Sequence, residues 1–370
     1  MPKEITSTER RRRIDAFKSI LIPHPRLEAL QRRTKNLIDD TKAIVATNQK
    51  LIEAYGQGTP LEHLGILPVI GPSGATKSRS MGEVVKHVLD GMTLDPDDVP
   101  ILYVTLRGST RHTKQLQAQI LEAYGCNSGD RILSSRNYSE AAVNADIRLA
   151  ARSRRTLLVV FDETHNMFGG GSFDDLERSG GQSATVKRMA KAFKSLLNDG
   201  LFSIVCIGTN EMSKLFKDPE LAGRMKNTVD FGRLEISDQK EREYFFNFVA
   251  LFEDEMLNKR IIDEPIGLLD TVERRACVYD FADGVVGSVV RILATSLENA
   301  LEEGRGSLGF NDIAASIKAR NRAILETTRD KDDRETPYYD PFTRGPKRRT
   351  LAILREEEED QKKMDQKAGV

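Results

Sequence analysis

Gly71-Pro72-Ser73-Gly74-Ala75-Thr76-Lys77-Ser78 has the spacing G-x-x-x-x-G-K-[ST] of a phosphate-binding loop, with threonine where the second glycine belongs. In such a loop successive backbone N–H groups surround the phosphates at a helix start. The lysine reaches the terminal phosphates and the hydroxyl after it binds Mg2+. Lys77 and Ser78 retain both side-chain functions, and Arg79 follows directly. The glycine normally allows close approach of backbone to phosphate. Thr76 could crowd an ATP molecule there, or the loop could adjust around it.

A second constellation lies at Leu157-Leu158-Val159-Val160-Phe161-Asp162-Glu163, an apolar run ending in two acids. This arrangement suits a Walker B strand, in which Asp162 holds hydrated Mg2+ and Glu163 polarises the attacking water. Taken alone, the same run reads equally as a buried strand capped by solvated acids; the phosphate loop upstream favours the chemical reading. Asn210, in Ile207-Gly208-Thr209-Asn210, is placed to sense the terminal phosphate, or else to cap a helix. Arg224, closing Asp218-Pro219-Glu220-Leu221-Ala222-Gly223-Arg224, could project onto a neighbouring subunit's nucleotide. Arg291, in Gly284-Val-Val-Gly287-Ser-Val-Val-Arg291, could fold back onto the phosphates or stay solvated on an amphipathic helix.

Positioning these groups requires strands that end where the loops begin. Apolar runs at 64–70, 100–105, 156–161, 202–207 and 228–234 alternate with helical patterns. Runs buried on both faces and separated by helices predict a parallel five-stranded sheet sandwiched by helices. The expected organisation is an N-terminal helical extension at 1–60, an α/β nucleotide-binding core at 61–236, a helical lid at 237–328 and a charged, largely disordered tail at 329–370. The Gly, Ser and Asp-rich stretch 169–183 reads as a mobile loop.

The chain has 370 residues, enough to bury a sizeable core and divide into two or three units. Lys plus Arg equals Asp plus Glu at 56 each, so any nucleic-acid site must be a local patch. Cys126, Cys206 and Cys277 lack metal-ligand spacing and read as reduced core residues of a cytoplasmic protein. No apolar run approaches the roughly 18 residues of a spanning helix, and a soluble protein is expected. His165 beside Glu163 lacks a second ligand at helical spacing, so no zinc site is implied.

The order of phosphate loop, paired acids, polar residue at a strand end, Arg224 and helical lid resembles the AAA+ ATPases across about residues 60–325. Within them the chain resembles the TniB family of transposition proteins, relatives of TnsC and the phage Mu B protein. The narrower likeness is carried by Ile101-Leu-Tyr-Val-Thr105, Lys114-Gln-Leu-Gln-Ala-Gln-Ile-Leu-Glu-Ala-Tyr-Gly125 and Ala150-Ala-Arg152. It continues through Phe161-Asp-Glu-Thr-His-Asn166, Phe193-Lys-Ser-Leu-Leu-Asn198, Ile207-Gly-Thr-Asn-Glu211 and Asp218 to Arg224. The resemblance implies a bacterial, DNA-associated regulator of transposition that binds double-stranded target DNA non-specifically. It further implies assembly into rings or filaments with nucleotide between subunits, and recruitment or activation of the transposase. Thr76 departs from the family pattern, so a slow ATPase is expected. DNA phosphates would be met by Arg107, Thr110, Arg111 and Lys114, where cations alternate with small hydroxyl residues. A second cluster comprises Arg148, Arg152, Arg154 and Arg155, and Lys187, Arg188 and Lys191 form a weaker one. Arg10 to Arg13 reads as a basic arm. Two other readings stand beside this one: a non-hydrolysing ATP-binding scaffold bridging partner proteins, and an AAA+ replication loader or initiator.

Overall fold

The apolar runs become five parallel strands, β1 (Ile66–Ile70), β2 (Ile101–Thr105), β3 (Leu158–Asp162), β4 (Ser203–Gly208) and β5 (Val229–Asp230). They are seen in a computed structural model that describes residues 5–56, 59–108, 110, 112–126, 132–133, 139–168, 184–328 and 340–368. The order across the sheet is β2-β3-β4-β1-β5. Every residue of β3 and β4 is buried, as expected of strands covered by helices on both faces. The pairs Ile70↔Gly208 and Phe161↔Cys206 keep the carboxyl ends of β1, β3 and β4 level. Their loops therefore leave from one edge. The last strand is shorter than its apolar run, although the Phe231 N–H still donates to the Ile70 carbonyl.

The chain forms two compact units, Pro25–Gly232 and Met1–His24 together with Arg233–Val370. The N-terminal helical extension expected at 1–60 is thereby divided. Its first helix, α1 (Ser7–Ser19), belongs to the helical unit, and its second, α2 (Pro25–Tyr55), to the sheet. Leu30, Leu37 and Ile38 of α2 are buried, and the Thr41 hydroxyl meets that of Ser203 on β4 at 2.6 Å. The remaining helices of this unit are α3 (Lys77–Asp90), α4 (Thr113–Ala123), α5 (Glu140–Ser153), α6 (Ala184–Asn198) and α7 (Pro219–Gly223). Phe193 of α6 packs edge-on against Phe161 of β3 at 5.2 Å, next to Leu116, Ile120 and Leu196.

The helical unit adds α8 (Gln239–Asn258), α9 (Val272–Ala282), α10 (Val286–Glu302), α11 (Phe310–Thr328), α12 (Pro341–Arg344) and α13 (Arg348–Ala368). Phe17 of α1 contacts Phe252 of α8 at 5.4 Å and joins a core with Phe245, Ile292, Leu297 and Ile317. The sequence reading of Arg10 to Arg13 as a free basic arm is corrected. The Arg13 guanidinium donates to Glu9 and Asp263 at 2.9 Å and to the carbonyls of Ile261 and Gly306 at 3.1 Å. Arg10 pairs with Glu302, Arg11 with Asp15, and Arg12 with Glu9. Arg10, Arg12 and Arg13 anchor α1 to the rest of the unit, and Arg11 stays exposed.

The tail is corrected in the same way, because α13 lies within the span expected to be largely disordered. Leu354 is fully buried in the helical core. The buried Asp280 carboxylate of α9 accepts from the Lys347 backbone N–H and from the Thr350 hydroxyl. Arg242 of α8 pairs with Glu357 at 3.2 Å. The stretch 169–183, expected to be mobile, lies outside the described residues. Among those described, no helix is long and apolar enough to cross a membrane, and all three cysteines are free. Asp280→Ala should remove the latch of α13 and leave the buried Thr350 hydroxyl without its acceptor. The expected cost is about 1–3 kcal/mol, read by thermal unfolding, with faster proteolysis within 347–368. Unchanged cleavage there would show that Leu354 packing alone holds the helix.

Candidate functional site

The loop after β1 turns sharply into α3. A Cβ on Gly71 would lie 2.6 Å from the Phe231 carbonyl, so no side chain fits where β1 passes the end of β5. Gly74 has φ 79° and Thr76 φ 64°. The position where the motif expects glycine is therefore left-handed, a conformation that costs a non-glycine residue about 1–2 kcal/mol. The sequence reading had Thr76 opposing close approach to phosphate; the structure adds a requirement on φ that threonine meets under strain. Thr76 is followed at once by the first turn of α3, and that turn begins with Lys77, Ser78 and Arg79.

A cleft of about 150 Å³ opens here, lined by Ser73 to Arg79, Asp162, Glu163, His165, Gly208 and Thr209. Lys77 is buried, and its ammonium donates to the carbonyls of Gly71 and Pro72, both at 2.8 Å. Burial pulls its pKa below the usual lysine range, and the negative charges of Glu163 and Asp162 oppose that shift. Asp162, at the end of β3, is only 5% exposed. Its Oδ2 accepts from the Tyr103 hydroxyl at 2.7 Å and its Oδ1 from the Glu163 N–H at 2.8 Å. Burial, then the bond to Asp162, raises the pKa of Tyr103, which stays a neutral donor.

Glu163 is left-handed (φ 55°) and starts a short 3-10 turn, Thr164–Met167. The turn is held by the Thr164 hydroxyl on the Phe161 carbonyl at 3.0 Å and by the Asn166 amide on the Leu106 carbonyl at 2.8 Å. The Glu163 carboxylate extends to His165 Nε2 at 3.2 Å. His165 Nδ1 is buried without a partner among the described residues. The sequence reading set His165, beside Glu163, aside as a metal ligand and gave its contact with that carboxylate no role. Tyr103 was missed as well, and its signal was a polar-tipped aromatic within an apolar strand.

Asn210 and Arg224 do not line this cleft. Asn210 is exposed at the start of a 3-10 turn, and Thr209, one residue earlier, lines the cleft. A strand ending at Gly208 places the next side chain, not the second, at the sheet edge. Arg224 follows α7, and its carbonyl accepts from the N–H of Ile66, the first residue of β1. That end of β1 is roughly 16 Å from the phosphate loop, at about 3.3 Å per residue. Its guanidinium donates to Asn198 Oδ1 at 2.6 Å. Arg291 sits exposed on α10 of the helical unit, bonded to the Ser288 hydroxyl at 3.3 Å.

The expected DNA cluster is revised. Thr110 is fully buried, donating to the Arg107 carbonyl and accepting from Gln119, so it cannot touch a phosphate. Arg107 is exposed and paired with Glu122 at 2.6 Å. Lys114 is half-buried on α4, and Arg111 lies outside the described residues. In the second cluster Arg148 pairs with Asp199, Arg155 pairs with Asp95 and Asp98, and Arg154 lies over the Tyr124 ring. Lys187, Arg188 and Lys191 are exposed on α6, with Arg188 on His112 Nδ1 at 2.9 Å. A larger groove, about 500 Å³, lies between α2 and the end of α3 and holds none of the groups above.

The donor set suits a polyphosphate and a hard cation. Helix N–H groups and Lys77 match phosphate oxygens, and Ser78 and Asp162 supply only oxygen ligands. Residues 61–216 match the AAA domain family. The chain's sheet, flanking helices and helical C-terminal region have the AAA+ P-loop NTPase fold, which implies nucleotide binding and, typically, Mg2+. The structure of the Aeropyrum pernix ORC1 protein in complex with DNA is similar at 15% identity, covering 88% of this chain and 72% of that one, with a TM-score of 0.50. The Aeropyrum pernix ORC2 protein, in ADPNP-ADP complexes, is 14% identical over 76% of this chain and 67% of that one, with a TM-score of 0.47. The Drosophila ORC bound to DNA is 12% identical over 89% and 77%, with a TM-score of 0.39. No curated protein matches the chain in sequence. The likeness to the TniB family rests on the sequence motifs alone.

Thr76→Gly should relieve the left-handed strain while loosening the unfolded chain, a net gain of about 1 kcal/mol. A denaturant midpoint that fell instead would show that the threonine side chain holds the loop together.

Proposed function

We propose that this chain is an ATP-dependent, DNA-binding regulator of DNA transposition that assembles with further copies of itself on target DNA and recruits or activates a transposase. The observation that carries the nucleotide part is the meeting of Lys77, Ser78, Asp162 and Glu163 in one cleft at the start of α3. In this reading Lys77 leaves the Gly71 and Pro72 carbonyls to hold the terminal phosphates. Ser78 and Asp162 hold Mg2+, which supplies charge neutralisation at those phosphates when bound. Glu163 orients the attacking water, and Thr209 takes the sensing place first given to Asn210. Arg224 lies at the far end of β1 and serves a neighbouring copy's nucleotide, so the site needs a second copy for turnover. The strain at Thr76 favours a slow ATPase, in which binding outlasts hydrolysis.

DNA as partner is supported by the fold likeness to the DNA-bound ORC1 protein. That likeness equally favours a second reading, a replication loader or initiator. Transposition is preferred because the motifs from Ile101 to Arg224 resemble the TniB family. Sequence-blind phosphate contacts fall to Arg107, Lys114 and, outside the described residues, Arg111.

Retention of duplex DNA with and without ATP tests the proposal, using the native protein, Lys77→Ala and Glu163→Gln. Native protein should hold DNA at least tenfold better with ATP, and Lys77→Ala should lose that gain. Glu163→Gln should prolong the ATP-dependent assembly. DNA binding that ignores nucleotide and is unchanged in Lys77→Ala would end the reading. Origin-specific binding, in place of sequence-blind binding, would favour the initiator.

A further inference from the structure

We propose that Tyr103 is a positioning residue that fixes the Asp162 carboxylate as a donor for Mg2+ in the cleft that Ser78 also lines; this rests on the nucleotide reading above. Ser78 and Asp162 come from different elements, the first turn of α3 and the last residue of β3. Tyr103 acts on the second of them. On β2, Thr105 pairs with Asp162, so Tyr103, two residues earlier, shares that face of the sheet, and a phenol spans the roughly 6.6 Å between them. Its hydroxyl donates to Asp162 Oδ2 at 2.7 Å. Asp162 Oδ1 is meanwhile held by the Glu163 N–H at 2.8 Å. With both oxygens engaged, the plane of the carboxylate cannot swing.

Mg2+ demands near-octahedral geometry at about 2.0–2.1 Å, whereas Ca2+ accepts longer and more variable distances. A fixed carboxylate therefore favours Mg2+, and the same donor left loose loses that preference. Partners one step removed from a metal typically change its affinity by about 10–100-fold.

Tyr103→Phe removes one oxygen and keeps the ring, so the variant should fold, with a somewhat lower unfolding midpoint because the buried Asp162 carboxylate loses a donor. The test is titration of a fluorescent ATP analogue in EDTA, in Mg2+ and in Ca2+, which needs no turnover. For Tyr103→Phe the affinity in EDTA should stay within about twofold of native. The strengthening conferred by Mg2+ should fall by about tenfold, and that conferred by Ca2+ should change little. A variant whose Mg2+ titration superimposes on the native one overturns the proposal, as does an equal loss in EDTA, which would mark a general disturbance of the cleft. Native protein that binds no analogue in any of the three conditions refutes the nucleotide reading itself. Native protein that gains from Mg2+ beside an unchanged variant refutes only the role of Tyr103.

Discussion

A parallel sheet buried on both faces must send every connection around the outside, and its strands then all end on the same edge. The molecule's chemistry depends on that constraint. With β1, β4 and β3 side by side in level register, the ends at Ile70, Gly208 and Asp162 form one rim. A loop, a polar residue and a pair of acids, distant in the chain, thereby enter one small cleft. Ligands of open α/β sheets collect at this rim because only there do side chains, loop N–H groups and a helix start converge.

The rim is held in a self-satisfied arrangement. Lys77 rests on two carbonyls, Asp162 on a phenol and an N–H, and Glu163 on a histidine. Binding of a polyphosphate would exchange these bonds rather than create them from free groups, so its net strength depends on differences between similar interactions. Two left-handed residues, Thr76 and Glu163, flank the cleft. Strain of this kind persists only where surrounding packing over-determines the backbone, and here Gly71 against Phe231 and the Asn166 bond to Leu106 supply that fixity.

The helical unit shows the same economy of charge. Its hydrophobic core takes in Phe17 from one end of the chain and Leu354 from the other. Around that core the charged groups face inward to partners: Arg13 to Asp263, Asp280 to the start of α13, Arg242 to Glu357. Ion pairs also form at the clusters around Arg107 and Arg148, with Glu122 and Asp199.

The amino-acid sequence alone determined what local order can express. Runs of Val, Ile and Leu specified five strands, the G-x-x-x-x-x-K-S spacing marked the loop, and Asp162-Glu163 at a strand end marked the acids. All of these lie within windows of a few residues, where burial and backbone geometry follow from residue type. Tertiary structure decided whatever depended on partners far along the chain. Arg10 to Arg13 reads as a free arm until Asp263 and Glu302 are placed beside it. Thr110 reads as a phosphate contact until Gln119 and the Arg107 carbonyl bury it. Tyr103 reads as core until strand register sets it against Asp162. Thr209 displaces Asn210 because a shift of one residue at a strand end changes which side chain meets the cleft. Periodicity fixes the kind of element, but only packing fixes which face of it a given side chain shares with another.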